Sequence, residues 1–68
     1  MNNEDWKLVI ALANNRMNAS EAARQMFMHR NTVTYRIQSI KKKTGLDPQN
    51  FFDLYKLATA ANVILKGE

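Results

Sequence analysis

Apolar residues recur along the chain at helical intervals, and no segment alternates apolar and polar with the persistence of a strand. The spacing predicts four helices. In the first, Asn3 to Asn14, Trp6, Val9, Ile10 and Ala13 stand at i, i+3, i+4 and i+7, which marks one face for burial. Glu4 and Asp5 fall in its first turn, where carboxylates suit the positive end of the helix dipole. The polar run NNRMN, Asn14 to Asn18, ends it. The second helix, Ala19 to Met26, is short. Asn18 and Glu21 have the spacing of a capping box, with Ser20 as an alternative cap. Ala22, Ala23 and Met26 form a face that a second helix can approach closely.

The third helix is expected over Arg30 to Lys43. Val33, Ile37 and Ile40 are its inner face, and Lys41, Lys42 and Lys43 suit the negative dipole end. Gly45 supplies a left-handed cap and Leu46 can fold back against the helix, as in a Schellman ending. Asp47-Pro48 reads as a cap followed by a first-turn proline, opening a fourth helix over Gln49 to Lys66. Phe51, Leu54, Ala58, Ala61 and Leu65 make its stripe. Phe52, Tyr55, Val63 and Ile64 lie elsewhere around it, so part of this helix is expected to serve an oligomer contact or a covering domain.

A short helix, the residues Phe27, Met28 and His29, and a longer helix have the layout of a helix-turn-helix. Ala23 can sit at the crossing, Met28 can plug the turn, and His29 can cap the third helix. Many such turns begin with glycine, because the position can need a left-handed backbone. Phenylalanine at 27 therefore implies either a different turn or a ring that compensates by packing. At about 100° per residue, Asn31, Tyr35, Gln38 and Lys42 lie opposite Val33, Ile37 and Ile40, with Thr34 beside them and Thr32 and Arg36 on the other flank. The polar residues of MHRNTVTYRI thus form an exposed face and tip on a helix, not a pocket. Helices of this kind dock their N-terminal half into the DNA major groove.

Charge changes the picture further. The net charge is +4. No acidic residue lies between Ala22 and Leu46, whereas that interval holds Arg24, Arg30, Arg36, Lys41, Lys42 and Lys43. Such a segment favours a polyanionic partner through counterion release, although a solvated face has the same composition. A chain of 68 residues makes one small domain with little room for a deep substrate pocket. The lack of cysteine removes disulfides and thiolate chemistry, and the single histidine, His29, cannot assemble a histidine metal cluster alone. Pairing of His29 with Ser20 or Thr32 would be needed for nucleophilic catalysis, and no third group supports it. No enzyme activity, metal or cofactor is expected. The absence of a signal-like or spanning apolar run predicts a cytoplasmic protein.

The stretch NASEAARQMFMHRNTVTYRIQSIKKKTGLD resembles the C-terminal helix-turn-helix domain of the PucR/CdaR-type bacterial transcriptional regulators. Asn18, Ser20, Ala23, Phe27, His29, Arg30, Asn31, Thr32, Tyr35, Arg36, Thr44, Gly45, Leu46 and Asp47 match the family's pattern, and Met26 stands where leucine is usual. The layout is also similar to the DNA-binding part of Fis. The resemblance implies an all-α DNA-binding domain, excised from the C-terminus of a longer regulator whose sensory region lies elsewhere. A homodimer is then expected in the full-length regulator, with no membrane partner and no small-molecule ligand in this domain.

The function expected is sequence-specific double-stranded DNA binding in transcriptional regulation. Arg30, Asn31, Thr34 and Tyr35 are the candidate base readers. Asn18, Ser20, Arg24, His29, Thr32 and Arg36 are the candidate backbone contacts. Plainer readings exist: Arg30 as a solvated first-turn residue, Asn31 as a cap, Tyr35 as surface packing. The rival function is a protein–protein interaction module that uses the apolar surface of the fourth helix.

Overall fold

The computed structural model describes Met1 to Gly67. Four helices follow one another: α1 (Asn3–Asn14), α2 (Ala19–Gln25), α3 (Arg30–Thr44) and α4 (Phe51–Lys66). There is no strand among the described residues, so the all-α expectation holds. α1 is the central element. It packs most extensively on α4 and also touches α2 and α3, while α2 and α3 pack on each other. The core is Leu8, Val9 and Leu12 of α1, Ala22 and Ala23 of α2, Val33, Ile37 and Ile40 of α3, and Leu54, Leu57 and Ala61 of α4, with Ala11 completing it. Each fully buried leucine, isoleucine or valine contributes about 1.5–3 kcal/mol relative to exposure.

The caps explain where the helices begin. Asn2 accepts the N–H of Asp5 at 2.9 Å and its own N–H donates to Asp5 Oδ2 at 3.3 Å, a complete capping box on α1. Asn18 caps α2 by accepting the Glu21 N–H at 3.1 Å. The reciprocal bond of the expected box is not made: Glu21 pairs with Arg24 at 3.2 Å, and the Asn18 N–H donates to the Asn15 carbonyl. His29 caps α3, its Nδ1 accepting the Asn31 N–H at 3.0 Å.

The buried faces of α1 and α4 and the start of α4 also differ from expectation. The buried stripe of α1 is displaced by one residue: Asp5, Leu8, Val9 and Leu12 face the core, Trp6 and Ile10 are half-buried, and Ala13 is exposed. Two apolar stripes compete on this helix; the one that prevails buries the large side chains Leu8 and Leu12, and the Asp5 that it carries is paired with Arg36 and Lys43 of α3. On α4 the core takes Leu54, Leu57 and Ala61, whereas Phe51 is exposed. The α4 start is also later than Gln49. Asp47 Oδ1 accepts the Gln49 N–H at 2.9 Å, which closes a turn around the buried Pro48. Asn50 is the cap, accepting the Asp53 N–H at 3.1 Å, and Asp53 Oδ2 reaches back to the Asp47 N–H at 3.0 Å.

The end of α3 is left-handed at Gly45, with φ of 73° and its N–H on the Lys41 carbonyl at 2.9 Å. A single such bond is the simpler left-handed ending rather than the Schellman pair. The Leu46 N–H goes instead to Thr44 Oγ1 at 3.1 Å, and that hydroxyl donates to the Ile40 carbonyl at 2.8 Å.

Candidate nucleic-acid interface

The α2–α3 turn is built by backbone bonds that leave little freedom. The Met28 N–H donates to the Ala23 carbonyl at 2.8 Å and the Phe27 N–H to the Arg24 carbonyl at 3.2 Å. Together they are a Schellman ending on α2, with Phe27 at the position that must be left-handed. Its φ is 56°. The turn therefore keeps the geometry usual for glycine. The ring does not compensate by packing, because Phe27 is 97% exposed. Met28 does plug the turn, half-buried against the core.

Beyond the turn, α3 separates its residues cleanly. Val33, Ile37 and Ile40 are buried, which turns the other side of the helix outward. Arg30, Asn31, Thr34 and Tyr35, the four candidate base readers, are all exposed on its N-terminal half, Tyr35 by 75%. Thr34 Oγ1 donates to the Arg30 carbonyl at 3.1 Å, leaving only its oxygen lone pair and methyl group for another partner. Asn31 does not cap the helix with its side chain; His29 does, so the Asn31 amide is free for other bonds.

The candidate backbone contacts fall into two groups. Asn18, Ser20, Arg24, His29 and Thr32 are exposed, at the start of α2, on its outer side or at the tip of α3. Two caps here keep outward donors. Asn18 spends its carbonyl oxygen on Glu21, which leaves its amide N–H groups. His29 spends Nδ1 as an acceptor, so its proton sits on Nε2. Arg36 is different. Its guanidinium lies 3.6 Å from the carboxylate of Asp5 and is 31% exposed, held between α3 and α1. Lys43 Nζ lies 3.9 Å from the same carboxylate, which is itself 8% exposed. Asp5 thus anchors two cations of α3 to the first turn of α1. Sequence reasoning had seen in Asp5 only a complement to the dipole. An acidic residue within a helical stripe, with basic residues seven apart on a later helix, was the available signal.

Two more features emerge from the fold. Tyr35, Gln38, Ser39 and Lys42 line a shallow groove that continues the exposed face of α3 towards its C-terminus. Among the described residues Arg30 and Lys42 have no ion-pair partner, whereas Lys41 is within 3.8 Å of Asp47. A second, apolar groove lies between the end of α1 and the start of α4, lined by Ala13, Arg16, Met17, Phe51, Leu54, Tyr55 and Ala58. No group of three or more potential metal-ligating side chains is found among the described residues. No helix among them is long and apolar enough to cross a membrane.

A short helix, a tight turn of four residues and a longer helix whose outer side is polar and basic define a helix-turn-helix. The chain belongs to the family of PucR C-terminal helix-turn-helix domains, whose model matches residues 6–63. That places it among the DNA-binding domains of transcription regulation, which are not a class of enzymes. It is 49% identical over 41 residues to an uncharacterized protein of Mycobacterium bovis and to uncharacterized proteins of two strains of Mycobacterium tuberculosis. The alignment covers 60% of this chain and 10% of each relative, so the chain spans only a small part of their length. No solved structure matches the chain.

Proposed function

We propose that this domain binds double-stranded DNA in a sequence-specific manner, with the N-terminal half of α3 in the major groove. The observation that carries the reading is the division of α3: Val33, Ile37 and Ile40 buried, with Arg30, Asn31, Thr34 and Tyr35 exposed just beyond a short turn. Arg30 suits a guanine, whose O6 and N7 accept two bonds from one guanidinium, and Asn31 suits an adenine. Thr34 and Tyr35 offer methyl and ring contacts to thymine. The free donors of Asn18 and His29, with Ser20, Arg24 and Thr32, hold the phosphates on either side. Arg36 joins them by exchanging Asp5 for a phosphate. The domain acts at the C-terminal end of a longer cytoplasmic regulator, as a homodimer, because one short helix reads few base pairs and symmetry doubles the site.

The test is fluorescence anisotropy of duplex and single-stranded DNA over a salt series. Duplex preference with affinity falling steeply as salt rises is the expected result. Arg30→Ala lowers affinity for a selected site by about 1–3 kcal/mol and relaxes base preference there. Unchanged binding in this variant, at unchanged helicity, would remove α3 from the interface.

A second reading has its own observation. Phe51, Phe52 and Tyr55 are all more than half exposed beside the apolar groove of α1 and α4. Such a surface suits a protein partner. If Tyr55→Glu disrupts self-association or partner capture while DNA binding persists, both surfaces function; if DNA binding is absent throughout, this reading replaces the first.

A further inference from the structure

Phe27 is costly to the domain in two ways. A residue with a Cβ in the left-handed region is strained, and phenylalanine has no side-chain polar group to offset the strain. Its φ of 56° is imposed by the two backbone bonds that close the α2–α3 turn, so the chain cannot relax it without opening the turn. The ring then recovers nothing from the fold, since it is 97% exposed and meets no core residue. Glycine would remove both costs. Two other residues with a Cβ are left-handed, Arg16 and Met17, and Arg16 is exposed as Phe27 is, but its side chain is a charged one that water solvates well. Met17 packs against the core, and Gly45 carries no side chain.

The position of the ring narrows what receives it. Phe27 stands two residues before the cap of α3, so its Cα is within about 7 Å of that of His29. A surface that engages His29 and Arg30 therefore passes close to the Phe27 backbone. Along the chain Phe27 is flanked by Arg24 and Arg30, and the nearest carboxylate in sequence is Glu21, which Arg24 covers at 3.2 Å. An exposed ring among cations fits a surface that combines apolar C–H groups with dense negative charge. The edge of a DNA groove has this composition: deoxyribose rings framed by phosphates.

We infer that Phe27 is a further DNA-binding residue, its ring packing on the deoxyribose groups of the strand that borders the tip of α3. This rests on the duplex-binding reading above. The contact adds affinity without base preference, and without charge, so it leaves no mark on the salt dependence. Cationic contacts do leave one.

The experiment compares the 68-residue chain with Phe27→Gly, Phe27→Leu and Arg24→Ala, using a fluorescein-labelled random-sequence duplex and thermal melts followed by circular dichroism. Phe27→Gly is expected to raise Tm by about 4–8 °C through relief of strain, and to weaken duplex binding about tenfold with the slope of log affinity against log salt unchanged. Phe27→Leu retains strain and part of the apolar contact, so it binds between the two. Arg24→Ala lowers the slope by about 1, which shows that the assay resolves a lost phosphate contact. Equal affinity of Phe27→Gly and the parent overturns the inference and leaves duplex binding standing. A lower Tm in Phe27→Gly overturns its premise. If the parent itself fails to bind duplex, the function proposed above fails with it.

Discussion

Replacing Asp5 by asparagine isolates the charge that joins α1 to α3. The amide oxygen of asparagine can still accept the Asn2 N–H, which the carboxylate holds at 3.3 Å, so the cap of α1 survives. What is lost is the counter-charge for Arg36 at 3.6 Å and Lys43 at 3.9 Å. Two unit charges at such a distance attract by about 1 kcal/mol in water and by several times that at an effective dielectric of about 20. Most of the larger figure is offset by desolvation and side-chain ordering. Lys43 is more than half exposed and adds little. Arg36 is 31% exposed against a nearly buried partner, so a net loss of about 1–2 kcal/mol is expected. In a domain of this size that lowers Tm by roughly 5–15 °C. The assay is thermal unfolding of the parent, Asp5→Asn, Arg36→Gln and the double variant. A coupling energy near 1 kcal/mol is the expected outcome of the cycle. A coupling below about 0.3 kcal/mol would refute the clamp and leave α1 held by packing alone. The same variant bears on function: with no Asp5 charge for Arg36 to exchange, duplex affinity should rise while the slope of its salt dependence stays the same.

Other expectations follow from single positions. Ile37→Ala removes a side chain that is 2% exposed at the centre of α3 and should cost about 2–5 kcal/mol, enough to unfold much of so small a domain at 37 °C, as circular dichroism would show. Ala23→Leu adds volume where α2 crosses α3, and a loss of about 1–3 kcal/mol in urea unfolding is expected; no loss would mean the crossing is loose. At Gly45 a Cβ would meet nothing within 4 Å, so Gly45→Ala should cost only the left-handed backbone, about 1 kcal/mol, and a much larger loss would point to a contact not seen here. Phe52→Glu lies on an exposed side of α4 and should leave Tm within about 2 °C, because it removes no core contact.

Helix number, order and most ends were legible in the pattern of residues, because caps and breakers act over a few positions. Asn18, His29 and Gly45 do locally what their residue types suggest. The inner face of α3 was legible for a related reason: Val33, Ile37 and Ile40 form its one apolar stripe, and all three are buried. Helix α1 offered two stripes at the same spacing, and local rules favoured the one without a carboxylate. The other stripe buries Leu8 and Leu12, and the approach of α3 brings Arg36 and Lys43 to the Asp5 that it carries. The start of α4 was decided likewise at a distance. Asp53 bonds back across six residues to Asp47, which spends the Asp47-Pro48 pair on a turn. Nor could the pattern foretell that Phe27 would hold a left-handed backbone with its ring in solvent. That conformation is forced by two carbonyls of α2 and by the place α3 must take on the core. Residue order thus determined the helices and the polar face, through short-range hydrogen bonding and periodicity. The tertiary structure decided which stripe is buried, which cations are free and where strain collects, because those depend on groups that only packing brings together.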